Sequence, residues 1–315
     1  MSLKKEGDFA FNRDNLYGTT NEPTYAGATS FMRRKYTRDL EGVDLVVTGI
    51  PLDTATTNRP GARFGPRAIR AASTIMAWAR PYGTKEDPFD KLAVIDYGDC
   101  FWDFGRPEEV PGAIEEHATN IISQGPGLLS LGGDHFIAWP LLKAHAKKHG
   151  KPLSLLHFDA HSDTWPCEDG RIDHGTMFRH AVNEGLVDPT QSTQIGLRTT
   201  NDDTLGFNIF DGPFVNREGI DVVVEETKKI LGNRPVYLSF DIDCLDPSYA
   251  PGTGTPVCGG LTTNQAIQIL RGLSGINLIG MDVVEVAPAY DIGEITALAG
   301  ATLAVEFINM YANRP

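Results

Sequence analysis

Seven short runs of apolar residues, rich in leucine and β-branched side chains, recur along the chain, and most are followed by a polar turn and a stretch of helical character. They are Asp44–Ile50, Leu92–Asp96, Gly127–Leu131, Leu153–Phe158, Gln194–Leu197, Val236–Phe240 and Leu278–Met281. Each is nearly continuous rather than alternating, the pattern of parallel strands covered on both faces. Helices are expected over Pro66–Arg80, where proline takes a first-turn position, and over Glu108–Ser123, Ile137–His149, Gly219–Leu231, Thr263–Leu273 and Ile295–Tyr311. Strand–helix alternation over the whole length implies one α/β domain, a three-layer α/β/α arrangement around a mostly parallel sheet. The irregular residues 1–41 read as an N-terminal arm that wraps the core or a neighbouring subunit, with the domain proper at 42–315.

The formal net charge is −13, and no run of lysine or arginine forms a phosphate-binding stripe. That argues against nucleic acid as a partner, and an acidic surface instead concentrates small cations. The cysteines Cys100, Cys167, Cys244 and Cys258 form no C-x-x-C pair and read as incidental thiols of a reducing compartment. No window approaches the ~20 apolar residues of a membrane span, and the first residues lack the apolar core of a signal peptide. The expected setting is the cytoplasm.

In open parallel sheets, ligands bind beyond the carboxyl ends of the strands. After the third run stands Gly132-Gly133-Asp134-His135, after the fourth Asp159-Ala160-His161-Ser162-Asp163, and after the sixth Asp241-Ile242-Asp243. Any one of these alone is commonly a turn or a cap. Three strand ends delivering Asp and His to one sheet edge form a metal centre, because such groups are costly to bury without partners. Asp159, Asp163, Asp241 and Asp243 with neutral His135 and His161 carry four negative charges, which two divalent ions balance. Oxygen ligands with two imidazoles and no thiolate favour Mn²⁺, with Co²⁺, Ni²⁺ and Fe²⁺ as the alternatives.

Among the other histidines, His145 and His149 lie on a basic helical face and are expected in solvent. His117 and His180 read as surface or core residues, and His157 as a buried neighbour of the ligands. His174, in the loop after the fourth strand, suits a proton shuttle. Glu285, just past the last strand in an apolar stretch, suits a planar guanidinium, since a carboxylate accepts two parallel N–H bonds.

GGDH, DAHSD and SFDIDCLDP in this order, with DHGTMF between the last two, resemble the arginase/agmatinase/ureohydrolase family, from about Asp44 to the C-terminus. The resemblance implies a single catalytic α/β domain holding two Mn²⁺ per subunit. His135, Asp159, Asp163 and Asp241 would hold one ion; Asp159, His161, Asp241 and Asp243 the other. It makes His174 the proton shuttle and Glu285 the guanidinium-binding carboxylate. It also implies a homo-oligomer, a trimer or hexamer. The stretches Pro251–Pro256 and Met281–Ala297 look like those of bacterial agmatinases. Where arginases place an asparagine that holds the α-carboxylate of arginine, this chain has Trp165. The expected reaction is therefore agmatine plus water to putrescine plus urea, by a metal-bridging hydroxide. The alternatives are a guanidinobutyrase or guanidinopropionase and, more remotely, a binuclear phosphoesterase or a non-catalytic metal-binding protein.

Overall fold

Every neighbouring pair of strands in the computed structural model is parallel. The model describes residues 7–168 and 171–315. Among these, one sheet contains β1 (Lys35–Tyr36), β2 (Leu45–Ile50), β3 (Val94–Asp99), β4 (Gly127–Gly132), β5 (Ser154–Phe158), β6 (Thr193–Ile195), β7 (Asn208–Phe210), β8 (Val236–Asp241) and β9 (Leu278–Val284). The spatial order is β1-β3-β2-β4-β9-β8-β5-β6-β7.

The apolar runs form the inner strands because both of their faces are covered. Successive side chains point to opposite sides of a strand. Leu45 and Val47 accordingly join a core with Ile69, Ile269 and Phe307, while Val46 joins a second core with Ile114, Leu141 and Leu142. Helices Gly65–Ser73, Ile220–Leu231, Thr263–Gly272 and Ile295–Ala312 cover the first face; Val110–Ile122 and Ala138–His149 cover the second. Three layers result.

Helix Ile295–Ala312 is long and apolar enough to cross a membrane by length and composition. It is instead 72% buried within the protein, and its Glu306 pairs with Arg271 at 3.0 Å. The expectation that no stretch approaches a span therefore understates this helix, whose apolar surface is spent on the core.

Strands β1 and β7, two and three residues long, lie at the sheet edges and escape an apolar-run search. The described part of the arm lies on its own domain. Phe31 and Met32 are buried in the first core, and the Phe31 N–H donates to Asp96 at 2.7 Å. His145, expected in solvent, is buried against Tyr237, with ring centroids 5.1 Å apart. Gly280 makes the room: a Cβ there would lie 2.2 Å from the imidazole.

Candidate metal centre and cleft

Four adjacent strands, β4, β9, β8 and β5, bring their carboxyl ends together. Beyond β4, the Gly133 N–H donates to Ile50 O and the Asp134 N–H to Leu52 O, at 2.8 and 2.7 Å. The chain thereby stays against the end of β2, so closely that a Cβ at Gly133 would stand 1.8 Å from Leu52 O. Only glycine fits. The Asp134 carboxylate accepts from Phe136 N and Ala55 N, which fastens the loop after β2 and aims His135 inward. Beyond β8, Asp241 Oδ1 accepts the Asp243 N–H at 2.8 Å, opening a single 3₁₀ turn. Beyond β9, Glu285 takes a left-handed backbone, φ 64°, a strained conformation that clusters at functional sites.

The six candidate ligands converge. His135 Nδ1 lies 2.9 Å from Asp163 Oδ2, 3.1 Å from Asp159 Oδ2 and 3.2 Å from Asp241 Oδ2. His161 Nδ1 lies 3.2 Å from Asp243 Oδ2 and 3.3 Å from Asp159 Oδ1. The two oxygens of Asp159 thus face two different groups of ligands. Asp241 meets the His135 group through Oδ2, its Oδ1 being occupied by the Asp243 N–H. All but His161 are buried.

The donor set fits a pair of hard divalent ions. His135 Nε2 lies 2.7 Å from Ser239 Oγ, whose own hydroxyl donates to Asp282 at 2.7 Å. That leaves the Ser239 lone pair to accept Nε2–H, so Nδ1 is the bare nitrogen. It makes no hydrogen bond of good geometry among the described residues. A bare buried imidazole nitrogen facing three carboxylates is a ligand geometry. Burial and the neighbouring aspartates push Asp163 up to about 7 and raise Asp241 and Asp243. Burial alone would raise Asp159 too, but hydrogen bonds and charge from the imidazoles around it hold it well below the usual range. The cluster takes up positive charge in preference to standing as four free carboxylates.

A cleft of about 360 Å³ opens above it, lined by Thr57, His161, Asp163, Trp165, His174 and Asp241 among others. His174 Nδ1 lies 2.9 Å from Glu285 Oε1, and its Nε2 lies 2.7 Å from the Thr57 hydroxyl, which can accept its proton. Burial would lower the His174 pKa, but the hydrogen bond and charge of Glu285 outweigh it and raise it to about 9. Glu285 lies beneath His174 rather than in the cleft lining. Its Oε1 also accepts the His135 N–H at 2.9 Å, while Oε2 has no partner among the described residues.

Residues 43–309 match the model of the arginase family. The chain belongs to the arginase family. It is 56% identical to an agmatinase of Chromobacterium violaceum, over 98% of this chain and 96% of the relative. Its fold superposes on the crystal structure of a hypothetical agmatinase from Burkholderia thailandensis with TM-score 0.96 and 57% identity, over 97% and 98% of the two chains. Proclavaminate amidino hydrolase of Streptomyces clavuligerus gives TM-score 0.86 and 37% identity, over 93% and 99%. The chain is an agmatinase-type amidinohydrolase.

This arginase-family centre has a supporting layer that the strand-end search misses. Tyr237 and Ser239 both donate to Asp282, at 2.7 Å each. His157 donates through Nε2 to Asp159 at 2.9 Å, and its Nδ1 accepts from Gln194, whose amide also donates to Ser162 O. Both ring nitrogens of His157 are thereby engaged. The signal was present: Tyr237, Ser239 and Asp241 alternate along an otherwise apolar strand, so polar side chains at period two share one face. Thr57 carries no such mark, because its loop is placed by Asp134.

Proposed function

We propose that this chain hydrolyses agmatine to putrescine and urea in the cleft, with two manganese ions held by His135, Asp159, His161, Asp163, Asp241 and Asp243. The observation that carries the reading is the Asp159 carboxylate, divided between two His/Asp groups on the cleft floor, in a chain so similar to agmatinases. The oxygen-rich donor set favours manganese. Bound ions would lower the pKa of coordinated water from 15.7 to about 7, so that a nucleophile exists at neutral pH.

The protein's own groups do the rest. Glu285, through its unpartnered Oε2, receives the guanidinium once His174 yields to the substrate, and charge-assisted N–H bonds fix the plane of the group. Water adds to the guanidinium carbon, the C–N bond to the alkyl chain breaks, and the departing amine takes a proton. His174, which meets the substrate already protonated because Glu285 raises its pKa in the free protein, is the acid that supplies it. Thr255 donates to Asp243 at 3.2 Å and keeps that carboxylate turned to the centre. The same reading sets the enzyme in the cytoplasm as a homo-oligomer, a trimer or hexamer.

Arg171, a cation lining the cleft, favours a second reading in which the substrate ends in a carboxylate. Urea release from agmatine, 4-guanidinobutanoate, 3-guanidinopropionate and arginine by manganese-loaded protein decides. Agmatine turned over fastest is the expected result; equal or faster turnover of an acid overturns it. Glu285→Gln should raise KM for guanidino substrates while bound manganese is retained.

A further inference from the structure

Beside His174, the same loop lines the cleft with side chains that no step of the hydrolysis uses. Trp165, Pro166, Arg171, Asp173 and Gly175 line it. The Trp165 N–H donates to Gly175 O at 3.1 Å, and a Cβ on Gly175 would lie 3.4 Å from an indole carbon. The Gly175 N–H in turn donates to Asp173 Oδ1 at 2.9 Å. Gly175 therefore ties an aromatic wall and a carboxylate into one unit.

We propose that this unit is the distal subsite of the enzyme: Trp165 and Pro166 pack the methylene chain of the substrate, and Asp173 Oδ2 accepts its terminal ammonium group. The proposal rests on the guanidino-hydrolase reading of the same cleft. Asp173 immediately precedes His174, whose ring meets Glu285, so a substrate with its guanidinium at Glu285 runs outward past Asp173.

Oδ2 now faces Arg171, at 3.0 Å to Nη2 and 3.2 Å to Nε. The two partners are unequal. The Arg171 side chain is 59% exposed and the Asp173 side chain 14%. Asp173 is fixed in the wall by a backbone donor, whereas Arg171 lies on the rim in a solvent-screened pair that contributes little. An incoming ammonium replaces the guanidinium at Oδ2 and leaves Arg171 to water. An incoming carboxylate gains Arg171 but stands against Asp173, which cannot move away. The pair thus favours amines over acids of equal chain length.

The test compares kcat/KM for agmatine with that for 1-butylguanidine, which has the same chain and no amine. Native protein, Asp173→Asn and Arg171→Ala are measured, all manganese-loaded. The ratio of the two substrates cancels any shared effect on His174 or on the fold. Native protein should prefer agmatine, and Asp173→Asn should cut the preference about tenfold, chiefly through KM, the scale of one charge-assisted hydrogen bond. Arg171→Ala should hold or increase the preference, because the competitor for Oδ2 is gone. A preference unchanged in Asp173→Asn, or lost in Arg171→Ala, overturns the subsite while leaving the hydrolase reading intact. If native protein releases urea from no guanidino compound, both fall together.

Discussion

Ser239 Oγ lies 2.7 Å from His135 Nε2 while donating its own proton to Asp282. The hydroxyl thereby selects the His135 tautomer with a free Nδ1, the nitrogen that faces Asp159, Asp163 and Asp241. Ser239→Ala should weaken manganese binding by about 10–100-fold, the usual cost of losing such an outer partner, and should cost the apo fold about 1–3 kcal/mol, because the buried Asp282 and His135 each lose a hydrogen bond. Competition with a chelator measures the affinity. Native affinity in this variant would show that Ser239 does not set the tautomer.

Asp159 divides its oxygens between the His135 group and the His161 group. Asp159→Asn should therefore empty both metal positions rather than one. Manganese counted by elemental analysis after gel filtration gives the answer; one ion retained at native affinity would mean that the carboxylate is not shared. Removing metal from the native protein should also lower its melting temperature, because ions that bind only the folded chain stabilise it.

His174 gives a pH dependence with a definite sign. Its folded pKa is raised to about 9, against about 6.5 for a free histidine. The stabilisation is fully present below pH 6.5 and is lost as pH rises through 9, on the order of 2–3 kcal/mol for a group this buried. Denaturant unfolding of metal-free native and His174→Asn protein, at pH 6 and pH 10, should show the native advantage shrinking at the higher pH. An advantage independent of pH would mean that Glu285 does not hold the proton there. With metal loaded, the same variant should keep manganese and lose most of kcat.

Gly133→Ala should be among the most damaging single-methyl changes in the chain. The added carbon meets Leu52 O at 1.8 Å and Leu52 N at 2.4 Å, both backbone, so neither can turn aside. A loss of roughly 3 kcal/mol or more follows from overpacking at that scale, together with loss of metal, since His135 lies two residues on. Normal stability and metal content in this variant would mean that β2 and β4 can separate at their ends without cost.

The sequence made the inner sheet and the candidate ligands legible for the same reason. A strand buried on both faces needs an unbroken apolar run, and a ligand directly after it breaks the run with an Asp or His. Asp159, Asp241 and His135 stand out in this way. Edge strands such as Lys35–Tyr36 need no such run and left no trace. Ser239 was marked only by its period-two spacing from Tyr237 and Asp241, whereas Asp282 sits inside an apolar run, where a lone polar residue reads as noise until its cross-strand partner Ser239 is known. His145 misled because its helical neighbours Lys147 and Lys148 are exposed while its own position, at Gly280, is not.

The strand order has a consequence for how the enzyme is made. The candidate ligands come from the ends of β4, β5 and β8, yet β9, a later segment than any of them, lies between β4 and β8. Until residues 278–284 have left the ribosome and inserted, β4 and β8 lack the spacer that sets them two strand widths apart, roughly 9–10 Å. In a nascent chain lacking β9, His135 therefore cannot yet join Asp159, Asp163 and Asp241, although the groups from β5 and β8 already adjoin. Assembly of the full six-residue set waits on nearly the last tenth of the chain.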